Sequence, residues 1–228
     1  DATNGGLFVF VADNARDLSA GSLYVAKVGA GFSVDPNAAA APLAWIKLGS
    51  ATSDEIEQLA RTLEPADIMT VARTDPGDVS YRKIFCNGSA EWIRINAGME
   101  KAAAYLETHR YAAYAGASMG FTKMEGTTVN VKDKVAYSAL QNCQDSMVVG
   151  GKGYVEGNGI ALDKALKAGA VMVHTLGTAM DDHGAAIASE WMPVATKALI
   201  TGEDIVADAL GNTANPDRIA NPDNLKFS

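Results

Sequence analysis

Apolar and polar residues alternate along most of this chain, in runs of four to eight separated by turn-forming residues. The central example is a strand-like run at 127–131, the polar turn Lys132-Asp133-Lys134, and a second run at 135–140. Alternation of β-branched and polar residues on both sides of a short turn predicts an antiparallel hairpin. Residues 6–12 and 22–28 read as two further strands, joined through the turn-rich 13–17. Residues 44–48 read as a third. Residues 81–86 and 91–95 flank Asn87-Gly88-Ser89 and predict a second hairpin. Residues 170–176 form an apolar β-like run, and 190–194 a short strand.

The period changes in two places. Over 52–63, Ser53 reads as an N-cap with Asp54 and Glu55 in the first turn, and Ile56, Leu59, Ala60 and Leu63 recur at helical spacing. Pro65 closes that segment, and 67–73 is either a short second helix or extended. Residues 99–115 carry the longest helical pattern, with Met99, Ala103, Leu106, Arg110 and Ala113 on one face. Residues 162–168 suggest a helical turn. The stretches 29–42, 75–78, 142–159, 180–184 and 209–222 read as loops or turns. There is no strict internal repeat. Short strands punctuated by turns suit a sandwich or a propeller rather than a βαβ fold, and periodicity leaves those two open.

The 228 residues suffice for one large domain or two small ones, and 48% hydrophobic against 20% charged is a globular balance. A net charge of −8 without a Lys/Arg cluster argues against a nucleic-acid partner. It is compatible with hard cations such as calcium. No apolar run is long enough for a transmembrane helix, so no membrane span is expected. Cys86 and Cys143 lack zinc-site spacing; they are either a disulfide of an exported protein or two separate thiols. His109, His174 and His183 are scattered and make no metal or acid–base signature. Glu107 and Arg110, three apart on a helix, read as a pair. Asp181-Asp182 reads as a solvated turn, and the glycosylation pattern at 87–89 is explained by the hairpin. No G-x-S-x-G, phosphate-loop or dinucleotide pattern occurs.

Candidate chemistry centres on Lys123 and Glu125. Two apart in extended chain, they point to the same side, with Gly126 following. A cation and a carboxylate so placed either hold an anion and a metal together or form a solvated ion pair. Asn-Pro-Asp occurs at 215–217, where it reads as a turn, and again at 221–223, where an Asx turn or strand cap and a metal-site motif are both open.

Several of these stretches resemble the PhoX family of secreted alkaline phosphatases. Lys123-Met124-Glu125-Gly126 with 129–137 behind it is similar to the family's basic-Pro-Glu motif leading into a propeller strand. Residues 5–11 and 18–27 resemble a pair of family strands. Residues 98–113 resemble a helical insertion of one branch, and 221–225 a later motif. The resemblance implies a mainly β chain with helical insertions near 53–63 and 98–116. It places 1–228 within a single β-propeller domain, about three irregular blades of a ring that the chain does not close by itself. The chain starts close to a strand and ends within another strand-like run, so an internal portion of a longer protein is expected.

The resemblance further implies a periplasmic or secreted phosphomonoesterase acting on a small phosphate ester through calcium, with iron as the second metal of the family's cluster. Glu125 and Asp223 are then the metal ligands, with Asn224 beside Asp223, and Lys123 the phosphate-holding catalytic residue. Lys123 stands where the family usually has Arg and lacks its bidentate fork; Met124 replaces Pro. The family's iron-bridging cysteine and two further glutamates have no counterpart. Partners are therefore expected in the remaining portions of the same protein or in a partner chain. Two alternatives follow: a catalytically inactive propeller-derived binding or structural component of an extracellular assembly, and a calcium-dependent lactonase-like propeller hydrolase.

Overall fold

The computed structural model describes residues 3–228. Its first hairpin joins β1 (Phe8–Asn14) to β2 (Asp17–Val28) through a two-residue turn, where Arg16 takes a φ of 65°. β3 (Ala41–Thr52) returns antiparallel along β2 and is longer than the alternation at 44–48 suggests. A second ribbon runs through β7 (Met124–Asn130), β8 (Val135–Leu140), β9 (Ala170–Gly177) and β10 (Met192–Thr201). β10 lies beside β3, giving one antiparallel sheet of order β1-β2-β3-β10-β9-β8-β7. It curls into a half-barrel. Paired main-chain hydrogen bonds between Gly5 and Phe121 (2.7 and 3.0 Å) tie the segments entering β1 and β7. The two free edges therefore converge at one end and leave a seam along the rest.

Inward side chains of these strands make the main core, with Tyr24, Val28, Trp45, Leu140 and Met172 all nearly inaccessible. The glycine-rich stretch after β8 completes it. Cys143, Met147 and Ile160 are fully buried there, although the stretch reads as a polar loop. Its glycines explain the difference: Gly159, at φ +87°, lies so close to the Val28 carbonyl that no Cβ fits. No helical turn forms at 162–168, because Leu162 bridges Val148 and Leu166 bridges Cys143. Cys143 and Cys86 are both free thiols.

A smaller sheet of order β4-β6-β5 holds β4 (Met69–Ala72), β5 (Arg82–Cys86) and β6 (Ser89–Ile95). The Asn87-Gly88 turn has positive φ at both positions (49° and 74°), as a primed hairpin turn requires. Helix α1 (Ser53–Thr62) is capped one residue earlier than Ser53. Thr52 accepts from the Glu55 amide (3.2 Å), and the Glu55 carboxylate accepts from the Thr52 amide (2.8 Å). Pro65 opens α2 (Pro65–Ile68) at its first turn instead of closing α1, and the chain then becomes β4.

The long helical pattern breaks at Glu107 (φ −125°, ψ 39°) into α3 (Glu100–Leu106) and α4 (Thr108–Ala115). Each half follows its own support: α3 packs on β3, and α4 on β5. Ala104 and Ala112 join Val25, Ile46 and Leu48 on the outer face of the half-barrel, so the helices weld the two sheets together. The chain is thus mainly β, with helical insertions at both expected places and no closed ring. Among the described residues, no helix is long and apolar enough to cross a membrane.

Candidate functional site: the seam between the free edges

The seam between β1 and β7 is a cleft with two different ends. At the polar end, Glu125 and Thr127 of β7 face Leu7 and Phe8, with His109 of α4 beside them, around about 340 Å³. A bulge between Met124 and Thr127 interrupts the β7–β8 ladder at Glu125. Bulges re-aim a side chain in this way. Lys123 has a φ of 42°, and its carbonyl accepts from the Gln141 amide at 2.9 Å, so its backbone is fixed in a left-handed conformation. Its ammonium lies 3.1 Å from the Glu125 carboxylate, with both side chains about one-third exposed. A pair this exposed contributes little to stability.

Asp223 reaches the same strand through its main chain. Its carbonyl accepts from the Gly126 amide at 2.8 Å, while the residue itself is exposed. Residues 223–225 pass over the Gly126 Cα so closely that a side chain there would collide with them. Phe227 then stacks on Tyr137 at 6.1 Å. The final residues therefore lie along β7 without entering a ladder.

Calcium takes six to eight oxygen ligands. Among the described residues, no three His, Cys, Asp or Glu side chains converge to hold a metal. Glu125 is the one carboxylate among the residues lining this end of the cleft, and it already faces an ammonium. These residues alone do not fit a calcium or iron centre. Lys123 and Glu125 lie side by side, and Asp223 approaches the neighbouring Gly126 by its backbone, with the residue itself exposed.

The other end is apolar. Leu7, Val9, Val129, Leu176, Trp191 and Pro193 surround about 360 Å³, with His174 on the wall. Leu7, Phe8 and Thr127 line both ends, so the two adjoin. His174 and Ser138 lie on the inner faces of neighbouring strands, with Ser138 Oγ 2.8 Å from His174 Nε2. Both are almost wholly buried. His174 Nδ1 has no hydrogen-bond partner, nor does Oγ1 of Thr196, the residue paired with His174 across β10. In the sequence, His174 belongs to no metal or acid–base signature and Ser138 does not stand out. The available signal was alternation, which places both on a core-facing row.

Burial pushes the His174 pKa down to about 4. The unfolded imidazole titrates near 6.5, so below that pH the unfolded chain binds a proton that the folded chain refuses. Stability is therefore fully present above pH ~6.5 and falls as pH drops towards ~4, by about 3 kcal/mol in all. The difference in urea-unfolding free energy between the wild type and His174→Leu, measured from pH 7 to pH 4, is expected to show this slope. A flat difference would contradict it.

Comparison with protein-family models, with curated proteins and with solved structures finds no match to this chain.

Proposed function

We propose that this chain is the substrate-seating part of an exported PhoX-like phosphomonoesterase. The observation that carries the reading is the Lys123–Glu125 pair, 3.1 Å apart, whose carboxylate lines the polar end of a cleft that adjoins an apolar chamber. An ammonium there holds a phosphate as a point charge. Glu125 keeps the ammonium in place before the ligand arrives, and the apolar chamber receives the organic part of an ester. The chain's own contribution is binding and orientation; calcium chemistry needs oxygen ligands beyond those it brings together. Periplasmic or secreted placement, and completion by further portions of the same protein or a partner chain, belong to the same reading.

The test is hydrolysis of p-nitrophenyl phosphate, with calcium added, by the protein that carries this chain. Turnover above background is expected. Lys123→Ala should raise KM about tenfold, equivalent to ~1.4 kcal/mol, with a smaller change in kcat, since a binding charge is removed. No turnover with metals supplied, or an unchanged KM in the variant, would overturn the reading.

One observation favours a second reading, a catalytically inactive binding component. Lys123 is already neutralised by Glu125, and no second carboxylate stands beside it among the residues lining that end of the cleft. That reading expects saturable ligand binding in the cleft with no hydrolysis.

A further inference from the structure

We propose that the cleft along the free edge of β5 binds an extended acidic peptide, which adds to the small sheet as a further strand. The cleft spans about 370 Å³ between β5, residues 154–158, the C-terminal end of α4 and Lys27 of β2. Asn4 ties two of these walls together at one end. Its Nδ2 donates to the Gly153 carbonyl at 2.8 Å, and its Oδ1 accepts from the Gly88 amide at 2.8 Å. The tip of the β5–β6 hairpin is thereby held against the start of the 154–158 wall.

The turn and the register settle which main-chain groups of β5 are free. Asn87-Gly88 is a two-residue turn with positive φ at both positions, so Cys86 and Ser89 flank it as a hydrogen-bonded pair. Bonding alternates from there: Ile84 and Arg82 also bond to β6, while Lys83 and Phe85 turn their N–H and C=O groups away from it. β5 is an edge strand, and among the described residues no other segment pairs with Lys83 or Phe85. Both residues line the cleft, Lys83 exposed and Phe85 half-buried. An edge with free donors and acceptors at alternate residues is what an added strand needs.

Charge selects the occupant. The lining carries Lys27, Arg82 and Lys83, all exposed, against a single carboxylate, Glu156, in a chain of net charge −8. Among the described residues none of the three cations takes part in an ion pair. Arg82 lies over Tyr114 of α4 at 5.7 Å, and Lys83 over Trp92 of β6 at 5.2 Å, so the two side chains stand on opposite faces of the small sheet. Neighbouring residues of an added strand also point to opposite faces. Two successive carboxylates therefore meet Arg82 on one face and Lys83 on the other. A second copy of this edge is disfavoured, because its own Arg82 and Lys83 would oppose these cations.

This inference stands apart from the phosphate reading, since it concerns another face and a probe without phosphate. Three hexapeptides with blocked ends, TVEEVT, TVQQVT and TVKKVT, are titrated into the purified protein at low salt, with the main-chain amides followed by NMR. TVEEVT is expected to saturate and to bind about fivefold more tightly than TVQQVT, the scale of two partly exposed ion pairs. TVKKVT should bind most weakly. The preference should fade in ~1 M salt, where charges are screened beyond about 3 Å. On binding, the Lys83 and Phe85 amides should gain protection from hydrogen exchange. Arg82→Gln combined with Lys83→Gln should bind TVEEVT and TVQQVT equally and keep that protection.

Absence of saturation by TVEEVT, equal binding of TVEEVT and TVQQVT to the wild type, or a preference that survives in the double variant would each overturn the proposal. Saturation by TVEEVT with no new protection at Lys83 and Phe85 would also overturn it, as it would show attraction of anions without strand addition. If the double variant does not fold, the wild type decides through those two amides and the salt dependence.

Discussion

Trp45→Ala is expected to destabilise the protein by about 4 kcal/mol, near the centre of the range for deleting a buried aromatic side chain. Trp45 is 1% exposed, and its indole N–H donates to the Pro193 carbonyl at 2.8 Å. The location magnifies the loss. β2 and β3 pair along nearly their whole length, whereas β3 and β10 pair only at Pro42–Ala195 and Ala41–Thr196. Beyond those two positions, β3 and β10 are joined through side chains, and the turn before β10 adds an isolated main-chain bridge between Trp45 and Asp181. Trp45 reaches Pro193, and the Asp182 carboxylate accepts from the Lys47 amide at 2.9 Å. Removing the indole leaves a void and an unpaired carbonyl where the N-terminal three strands meet the C-terminal four. For a chain of this size the midpoint of thermal unfolding should fall by roughly 10 °C. Trp45→Phe, which keeps much of the volume and loses the hydrogen bond, should cost about 2 kcal/mol. A Trp45→Ala loss below 1 kcal/mol in urea unfolding would show that the junction is held elsewhere.

Where the pattern was local, the sequence was readable. Both hairpins with short turns, at Lys132–Lys134 and Asn87–Gly88, appear where alternation and turn chemistry place them. Helix α1 shifts by a single residue at its cap, since Thr52 and Ser53 are both cap formers and only the reciprocal Glu55 bond separates them. What could not be read depends on distant partners. The break at Glu107 exists because α3 and α4 rest on different strands, and nothing in the Ala-rich pattern of 99–115 records that. The stretch from Asn142 to Gly159 looks polar and flexible by composition, yet its glycines let the backbone press against β2 and carry Met147 and Ile160 into the core.

The candidate site divides along the same line. Lys123 and Glu125 were legible as a pair from their spacing, although a left-handed Lys123 and a bulge at Glu125 bring them together rather than the extended chain the spacing suggests. That Glu125 lines a cleft required knowing that β1 and β7, far apart in sequence, become the two free edges of one sheet. Ser138 and His174 meet through the register of β8 with β9, which alternation alone does not fix.

The Glu91 carboxylate, on the same face of β6 as Ile93, illustrates how much a single buried charge decides, and Glu91→Ala should destabilise by about 4 kcal/mol. Its side chain is 2% exposed and is gripped by Arg110 through Nε at 2.7 Å and Nη2 at 3.3 Å, and by Arg73 at 2.7 Å. Arg110 also reaches Glu107 at 2.8 Å, the pair legible from helical spacing, and these carboxylates hold its pKa above the ordinary guanidinium value. The network pins α4 to the small sheet. Without Glu91, Arg110 keeps Glu107 but faces an apolar wall that includes Ile84 and Ile93. Arg73, 70% exposed, simply returns to water. The cost therefore comes from the stranded Arg110 more than from lost attraction, and this can be separated experimentally. Glu91→Leu alone should be about as harmful as Glu91→Ala, whereas Glu91→Leu combined with Arg110→Met should recover most of the loss, because apolar replacement of a whole buried pair is often close to neutral. Urea unfolding of the four proteins gives the coupling directly. A double variant no more stable than Glu91→Leu would mean that the ion pair itself stabilises the fold and that α4 docks through charge rather than packing.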